Sequence, residues 1–134
     1  MSTFKLEVIT PEKILFNGET SQIIVKTTEG NVGIMARHER YVAILPSGPL
    51  KIKQDDGSYK IAAVSSGMIK VDPEKTTILA NAVEWADEID LEHAKRSKED
   101  ALKKIKENKS NFEIDRANLK LQRALNRINV YELK

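Results

Sequence analysis

The residue types that support catalysis or metal binding are sparse and poorly spaced. His38 and His93 are the only histidines, and neither has an obvious carboxylate partner at metal-ligand spacing. The run Gly30-Asn31-Val32-Gly33 lacks the third glycine and the Lys-Ser/Thr of a phosphate-binding loop, so we interpret it as a tight turn between strands. Ser65-Ser66-Gly67 lacks the G-x-S-x-G context of a nucleophile elbow, and Asp55-Asp56 is typical of a turn. These patterns favour a binding role over catalysis.

Two charged surfaces are better candidates for function. The segment Arg37-His38-Glu39-Arg40-Tyr41 lies between two apolar runs, and this loop composition predicts a surface contact. Residues 101–134 carry nine basic and four acidic side chains, a local net charge of +5. This charge fits either a solvated helix face or a docking surface for an acidic partner. The basic candidates for such docking are Lys103, Lys104, Arg116, Lys120 and Arg123.

The overall composition limits the class of protein. The 134 residues include 22 basic and 20 acidic side chains, so the net charge is +2, which argues against a nucleic-acid binder held mainly by charge. The absence of cysteine excludes disulfides, thiolate metal sites and a cysteine nucleophile. No apolar run approaches the ~20 residues of a membrane-spanning helix, and no apolar signal segment follows Met1-Ser2-Thr3. We therefore expect the chain to reside in the cytosol.

The elements that must position these residues divide into two parts. All six glycines and all four prolines lie before residue 74, so a turn-rich part gives way to a turn-poor one. We place the boundary between residues 1–84 and residues 85–134. Trp85, the single tryptophan, stands at this boundary and is predicted to pack the root of the second part against the first.

The first part is predicted to be an antiparallel β-sandwich or flattened barrel of eight to ten short strands, about ten in our preferred count. Apolar residues alternate with charged ones over residues 4–8, which indicates a half-buried strand. Asp56-Gly57 lies between two such runs and predicts a hairpin with a type I′ turn. Residues 68–71 and 76–80 predict a second hairpin. A parallel arrangement would need helical crossovers, for which the chain has no room.

The second part is predicted to be an antiparallel hairpin of two helices. Asp90 can cap the first helix, and Ser110-Asn111-Phe112-Glu113 fits a capping box that begins the second after an interruption at residues 108–111. A narrow seam is predicted along the second helix at Ile114, Ala117, Leu121, Ala124 and Ile128. Small side chains should let the two helices approach closely, namely Ala94, Ala101, Ala117 and Ala124. Because the seam is short of bulky side chains, the hairpin should be marginally stable alone and able to open.

Several motifs occur together in the order typical of one family. The run from Gly30 to His38 fits G-x-x-G-I-x-x-x-H, and Leu45-Pro46-Ser47-Gly48-Pro49-Leu50 fits L-x-x-G-x-L. Ile89-Asp90 begins the first helix, and residues 122–128 (Gln-Arg-Ala-Leu-Asn-Arg-Ile) lie in the second. In these motifs the chain resembles the epsilon subunit of bacterial F-type ATP synthase over essentially its whole length.

The resemblance implies a non-catalytic subunit of the central stalk, or rotor. It implies that the sandwich binds the gamma subunit and touches the c-ring, which is its only contact with the membrane. The hairpin either folds against the sandwich or extends toward the alpha and beta subunits of the catalytic head, where it inhibits ATP hydrolysis. The implied location is peripheral, on the cytoplasmic face of the bacterial plasma membrane, with no nucleic-acid partner.

The resemblance also implies a regulatory ATP site on the folded hairpin, although no cofactor is required. The matching positions are Glu84, Ile89, Asp90, Ala94, Arg123 and Arg127. The family's first-helix arginine is His93 here, and a mostly neutral imidazole is a weaker phosphate ligand than a guanidinium. Two alternatives follow. ATP holds the hairpin closed, or the two arginines pair with Asp90, Glu92 or Asp87 and close it without ligand.

Other functions remain open from the residues alone. One is a plain coupling subunit whose hairpin does not respond to ATP. Another is a free-standing β-sandwich adaptor or holdase whose basic hairpin binds acidic protein partners. A nucleic-acid module is disfavoured by the balanced charge and by the lack of an aromatic platform with interleaved basic residues.

Overall fold

The protein folds into a β-sandwich followed by two helices, as the sequence predicts. The computed structural model describes residues 2–107 and 110–134. The strands are β1 (Phe4–Ile9), β2 (Ile14–Thr20), β3 (Gln22–Thr27), β4 (Gly30–Met35), β5 (Tyr41–Lys53), β6 (Tyr59–Val71), β7 (Thr76–Ala80) and β8 (Val83–Trp85). A 3₁₀ turn at Ala86–Glu88 leads to the helices α1 (Leu91–Glu107) and α2 (Asn111–Leu133).

The eight described strands are fewer than the expected ten because β5 and β6 are each 13 residues long. The strand order is β2-β1-β7-β6-β5-β3-β4, and β8 pairs with β6. One end of β6 (residues 67–71) pairs with β7, whereas its other end (residues 62–64) pairs with β8. The two long strands therefore run through both layers and join them into one sandwich.

One strand pair departs from the predicted antiparallel arrangement. Strands β1 and β7 are parallel, with Leu6 opposite Thr76 and Val8 opposite Ile78. A parallel pair needs a long connection between its strands, which we expected only from a helix. Here the whole segment β2–β6 provides that connection, so the sheet is mixed without any helical crossover.

The loop between β5 and β6 confirms the predicted hairpin but not its turn type. The loop has five residues, Gln54 to Ser58, and the Gln54 N–H donates to the Ser58 carbonyl at 2.7 Å. Gly57 has a φ of +87°, whereas Asp56 is not in the left-handed region, so the turn is not type I′. Asp56 instead accepts the Ser58 N–H at 2.9 Å and the Ser58 hydroxyl at 2.6 Å, which closes the loop through a side chain.

The prediction of a turn at Gly30-Asn31-Val32-Gly33 is wrong, because this run begins strand β4. The turn lies at Thr28 and Glu29, where the Thr27 hydroxyl accepts the Glu29 N–H and donates to the Gly30 carbonyl. Gly30, with a φ of +121°, forms the exit from this turn. Gly30 therefore did indicate a nearby turn, but the turn lies just before the segment 30–33 and not within it.

The sandwich has a hydrophobic core of its own. Fifteen buried apolar residues form one cluster, and partly buried side chains, including Phe16 and Trp85, pack against it. The Trp85 and Phe16 rings meet edge to face with centroids 6.5 Å apart. Trp85, at the end of β8, thus anchors the last strand on the sandwich core just before the helices begin.

The helical hairpin is closely packed through small residues, as predicted. The Ser110 hydroxyl accepts the Glu113 N–H at 3.4 Å and caps α2. The alanines predicted to allow close approach are all buried, namely Ala94, Ala101, Ala117 and Ala124. Within the interruption predicted at residues 108–111, residues 108 and 109 lie outside the described residues.

Candidate functional site

The first turn of α1 is organised by Asp90. Its Oδ1 atom accepts the His93 N–H at 3.0 Å, and its carbonyl accepts the Ala94 N–H at 3.0 Å. The predicted helix cap is therefore confirmed. The hydrogen bond from His93 lowers the pKa of Asp90, and the cations Arg96 and Arg127 lower it further. Asp90 is thus a fixed anion at the start of the hairpin.

Arg127 connects three elements at this position. Its Nε donates to Glu84 Oε1 of β8 at 2.5 Å, and its NH1 contacts Nδ1 of His93 on α1 at 3.1 Å. Because a guanidinium only donates, this His93 nitrogen acts as the acceptor. The alternative in which Arg127 pairs with Asp90, Glu92 or Asp87 is therefore not the pairing that the described chain shows, because the ion-pair partner of Arg127 is Glu84. The sandwich supplies the partner, because α2 docks on it and brings Arg127 beside β8.

Asn126 joins α2 to the sandwich and was missed by the sequence reasoning. Its side chain is buried, and its Nδ2 donates to the Gly48 carbonyl at 3.2 Å and to the Val64 carbonyl at 3.0 Å. These carbonyls belong to the paired strands β5 and β6. Its position between Ala124 and Ile128 was the available signal, since an amide beside an apolar helix seam needs a specific partner.

The root of the hairpin packs on the sandwich through a second, smaller cluster. Its buried members are Ala63 of β6, Ala86, Ile89 and Val130 of α2. Of the predicted nucleotide positions, Ile89 therefore lies in this cluster and Ala94 in the helix seam, and both side chains are buried. Neither side chain is available to a ligand in the folded hairpin.

A cleft of about 470 Å³ separates the edge of the sandwich from α2. Three of the predicted nucleotide residues, Glu84, Arg123 and Arg127, line it. The opposite wall comes from the turn between β1 and β2, which contributes Glu12 and Lys13. The fold thus brings three of the four predicted polar residues together in the cleft, without Asp90, and it adds charged residues from the sandwich.

The basic face of the hairpin is partly neutralised within the described chain. Asp100 of α1 accepts a hydrogen bond from Lys120 of α2 and pairs with Lys104 at 3.3 Å. These bonds, the one from Lys120 first, lower the pKa of Asp100. A groove of about 510 Å³ on this face is lined by four of the predicted docking cations, Lys104, Arg116, Lys120 and Arg123. Lys103, the fifth, is exposed on α1.

The predicted polar loop and an exposed apolar face lie on the sandwich. Residues 36–40 form a loop before β5, in which Arg37 has a φ of +67°. His38 is half-buried and meets the Tyr41 ring edge to face, with centroids 5.7 Å apart. A shallow apolar hollow of about 570 Å³ lies on the sheet beyond this loop. Exposed apolar side chains on this sheet are Val42, Ile44, Met68 and Leu79.

Among residues 2–107 and 110–134, no three His, Asp or Glu side chains gather closely enough to hold a metal ion. No helix in the same part of the chain combines the length and the apolar character needed to cross a membrane.

Comparison with known proteins places both parts of the chain. Residues 3–86 match the family described as "ATP synthase, Delta/Epsilon chain, beta-sandwich domain", and residues 87–132 match "ATP synthase, Delta/Epsilon chain, long alpha-helix domain". The chain is 47% identical to an ATP synthase epsilon chain of Ruminococcus albus over the full length of both. It is 39% identical to that of Caldicellulosiruptor bescii, over 98% of this chain and 96% of the relative.

A solved structure has the same fold. A chain in the cryo-EM structure of the Euglena gracilis mitochondrial ATP synthase, described as OSCP/F1/c-ring, superimposes with a TM-score of 0.85 at 20% identity. The match covers 100% of this chain and 83% of that chain.

Proposed function

Because the chain belongs to the ATP synthase epsilon-chain family, we propose that it is a non-catalytic subunit of the central stalk, or rotor, of that complex. In this role it couples the catalytic head to the ion-translocating c-ring, and its helical hairpin inhibits ATP hydrolysis when it leaves the sandwich. The subunit resides on the cytoplasmic face of the bacterial plasma membrane and contacts the membrane only through the c-ring. The whole-chain family match favours this proposal over the free-standing adaptor.

The observation that carries the inhibitory role is the small contact between the hairpin and the sandwich. The sandwich core contains fifteen buried apolar residues, whereas the cluster at the hairpin root contains four, two of them alanines. A contact of this size can open while the larger core stays folded. The hairpin also contacts the sandwich through specific hydrogen bonds from Asn126 and Arg127.

Truncation of the hairpin tests this role. Deletion of residues 88–134 should leave the sandwich able to assemble with the other subunits, because its core is independent of the hairpin. ATP hydrolysis by the assembled complex should increase, since the basic helix can no longer engage the alpha and beta subunits. An unchanged hydrolysis rate in a complex that contains the truncated subunit would contradict inhibition.

We further propose how the sandwich docks. The exposed apolar side chains Val42, Ile44, Met68 and Leu79 form a face suited to the gamma subunit, because burial of apolar area drives stable association. The polar loop at residues 36–40 is suited to the polar loops of the c-ring. A photoactivatable cross-linker on His38→Cys in the assembled complex should label the c-ring or gamma. Labelling of alpha or beta alone would contradict this orientation.

A regulatory ATP site on the folded hairpin is the third part of the proposal. Its phosphates would lie among Arg123, Arg127 and the first turn of α1, where backbone donors and the helix dipole favour anions. Arg123 and Arg127 are four residues apart on one helical face and line the same cleft. His93 contacts Arg127 through Nδ1, so its Nε2–H can donate to a phosphate, but without the permanent charge of an arginine.

Calorimetric titration of the isolated chain with ATP tests this site. Arg123→Ala should weaken binding, and His93→Arg should strengthen it by ~1–3 kcal/mol, the typical contribution of a charge-assisted hydrogen bond. Absence of heat with both the wild type and His93→Arg would leave the hairpin as a purely mechanical brake.

A further inference from the structure

The cleft between the sandwich and α2 gathers cations from both parts of the chain. Lys13 approaches from the β1–β2 turn, and Arg123 and Arg127 approach from α2. The acidic side chains in its lining are Glu12 and Glu84, so three positive charges face two negative ones. The net charge of +1 makes the cleft attractive to an anion.

The internal ion pairing leaves two of these cations available. Arg127 is paired with Glu84. Among the residues that the structure describes, neither Lys13 nor Arg123 forms an ion pair. The two belong to different parts of the chain and line the same cleft. A ligand that neutralises both would therefore link the sandwich to α2.

The backbone that carries Lys13 is held in place by Thr10. Thr10 is 8% exposed, and its hydroxyl accepts the N–H groups of Glu12 and Lys13 at 3.3 and 3.1 Å. The Thr10 N–H also donates to the Lys13 carbonyl at 2.9 Å. On the sandwich wall, the Lys13 side chain must be ordered when a ligand binds but its backbone is already fixed, which reduces the entropic cost.

We propose that Lys13 is the sandwich half of a phosphate clamp, in which the polyphosphate of a nucleoside triphosphate lies between Lys13 and Arg123 and fastens α2 to the sandwich. This inference rests on the proposed regulatory ATP site and adds a contact from outside the hairpin. A triphosphate carries several charges along its length, so it can meet an ammonium and a guanidinium on opposite walls. The cleft volume of about 470 Å³ lies within the range of small-molecule sites.

Inorganic tripolyphosphate has the same phosphate chemistry but lacks the nucleoside. Comparison with ATP therefore shows whether the cleft recognises a nucleoside triphosphate or the phosphates alone. The full chain is titrated calorimetrically with ATP and, separately, with tripolyphosphate. The variants are Lys13→Ala, Lys13→Arg and the control Lys5→Ala, which removes an exposed lysine of β1 outside the cleft. Circular dichroism melting of each variant confirms that it is folded.

The clamp predicts that the Kd for ATP rises about tenfold or more in Lys13→Ala, the expected loss for a charge-assisted hydrogen bond. Lys13→Arg should bind within about threefold of the wild type, because it keeps the charge and the donors, and Lys5→Ala should bind like the wild type. Binding of tripolyphosphate with the same dependence on Lys13 would support the phosphate contacts themselves.

The failures of the clamp and of the ATP site give different results. An equal Kd for ATP in the wild type and in folded Lys13→Ala would overturn the clamp and leave the ATP site intact. Absence of heat with ATP, together with Lys13-dependent binding of tripolyphosphate, would overturn the nucleotide but keep the clamp. Absence of heat with either ligand would overturn both.

Discussion

Asn126 is the residue that ties α2 most specifically to the sandwich. Replacement by leucine, which has the same branching at Cγ but is larger, removes the donor shared by the Gly48 and Val64 carbonyls and places an apolar side chain against them. We expect Asn126→Leu to weaken docking of the hairpin by about 1–3 kcal/mol, the cost of losing a buried hydrogen bond and leaving its partners unsatisfied. Hydrogen exchange of the α2 amides in the full chain measures this loss.

The matched control for this change is Gln122→Leu. Gln122 is exposed on the same helix, four residues earlier. The control should leave amide exchange in α2 close to that of the wild type. Equal protection in Asn126→Leu and Gln122→Leu would show that the amide contributes nothing to docking.

Asp100 is expected to give the hairpin a pH dependence. Its pKa is lowered in the folded protein from the ordinary value of 3.8, chiefly by the hydrogen bond from Lys120. The stabilisation is therefore complete at neutral pH and is lost as the pH falls below 3.8 through the lowered pKa. Thermal melting of the wild type at pH 6 and pH 2.5 measures the loss of helix stability, and Asp100→Asn should make this loss smaller. The control is Asp115→Asn, which removes a carboxylate that forms no ion pair in the described chain and should leave the loss unchanged.

Single residues could be predicted from sequence where their partners are close in the chain. Asp90 and Ser110 each cap a helix by accepting the backbone N–H of the residue three positions later. The partners of Asn126 and Arg127 are 43 or more residues away, apart from His93, which is 34 away. No local pattern identifies the partners on the sandwich, because those contacts form only when α2 docks on it.

Among the structural elements, the pairing of β6 with β7 requires a glycine at position 67, because the two backbones approach closely there. A Cβ atom on Gly67 would lie 2.1 Å from the Leu79 carbonyl oxygen and 2.8 Å from the Ala80 Cα. We expect Gly67→Ala to destabilise the sandwich by about 1–3 kcal/mol, since the strands must separate. Chemical denaturation of the full chain measures the change. Gly33→Ala is the control, because its nearest neighbour would be 3.7 Å away. Similar midpoints for the two variants would contradict the close approach.

The local sequence pattern predicted whether a segment is a strand or a helix, but it did not predict which strands pair with each other. Alternation over residues 4–8 correctly indicated β1, and the alanine spacing correctly indicated the helix seam. The parallel pairing of β1 with β7 was not predicted, because it joins segments about 70 residues apart. The continuous course of β5 and β6 was also missed, since Pro46 and Gly67 look like strand ends.

In the molecule as a whole, the sandwich and the helical hairpin share a contact that is much smaller than the sandwich core. The sandwich core has fifteen buried apolar residues of its own, whereas the two helices meet through buried alanines. This arrangement suits a subunit with one permanently docked part and one part that changes position. The distribution of glycine and proline predicted two parts from the sequence, but no local pattern showed which residues hold the two parts together.

The most direct test of the account locks the hairpin in the docked position within the assembled ATP synthase. Tyr59 of β6 and Leu133 of α2 are both partly exposed and line the same small hollow. The chain has no cysteine of its own, so Tyr59→Cys with Leu133→Cys can be joined by a short bismaleimide, with each single variant as a control. We expect the joined complex to hydrolyse ATP faster than the unjoined one, and at the rate of the complex without residues 88–134. The proposed role of the hairpin would be contradicted if the cross-link left the hydrolysis rate unchanged in a complex whose rate rises when residues 88–134 are deleted.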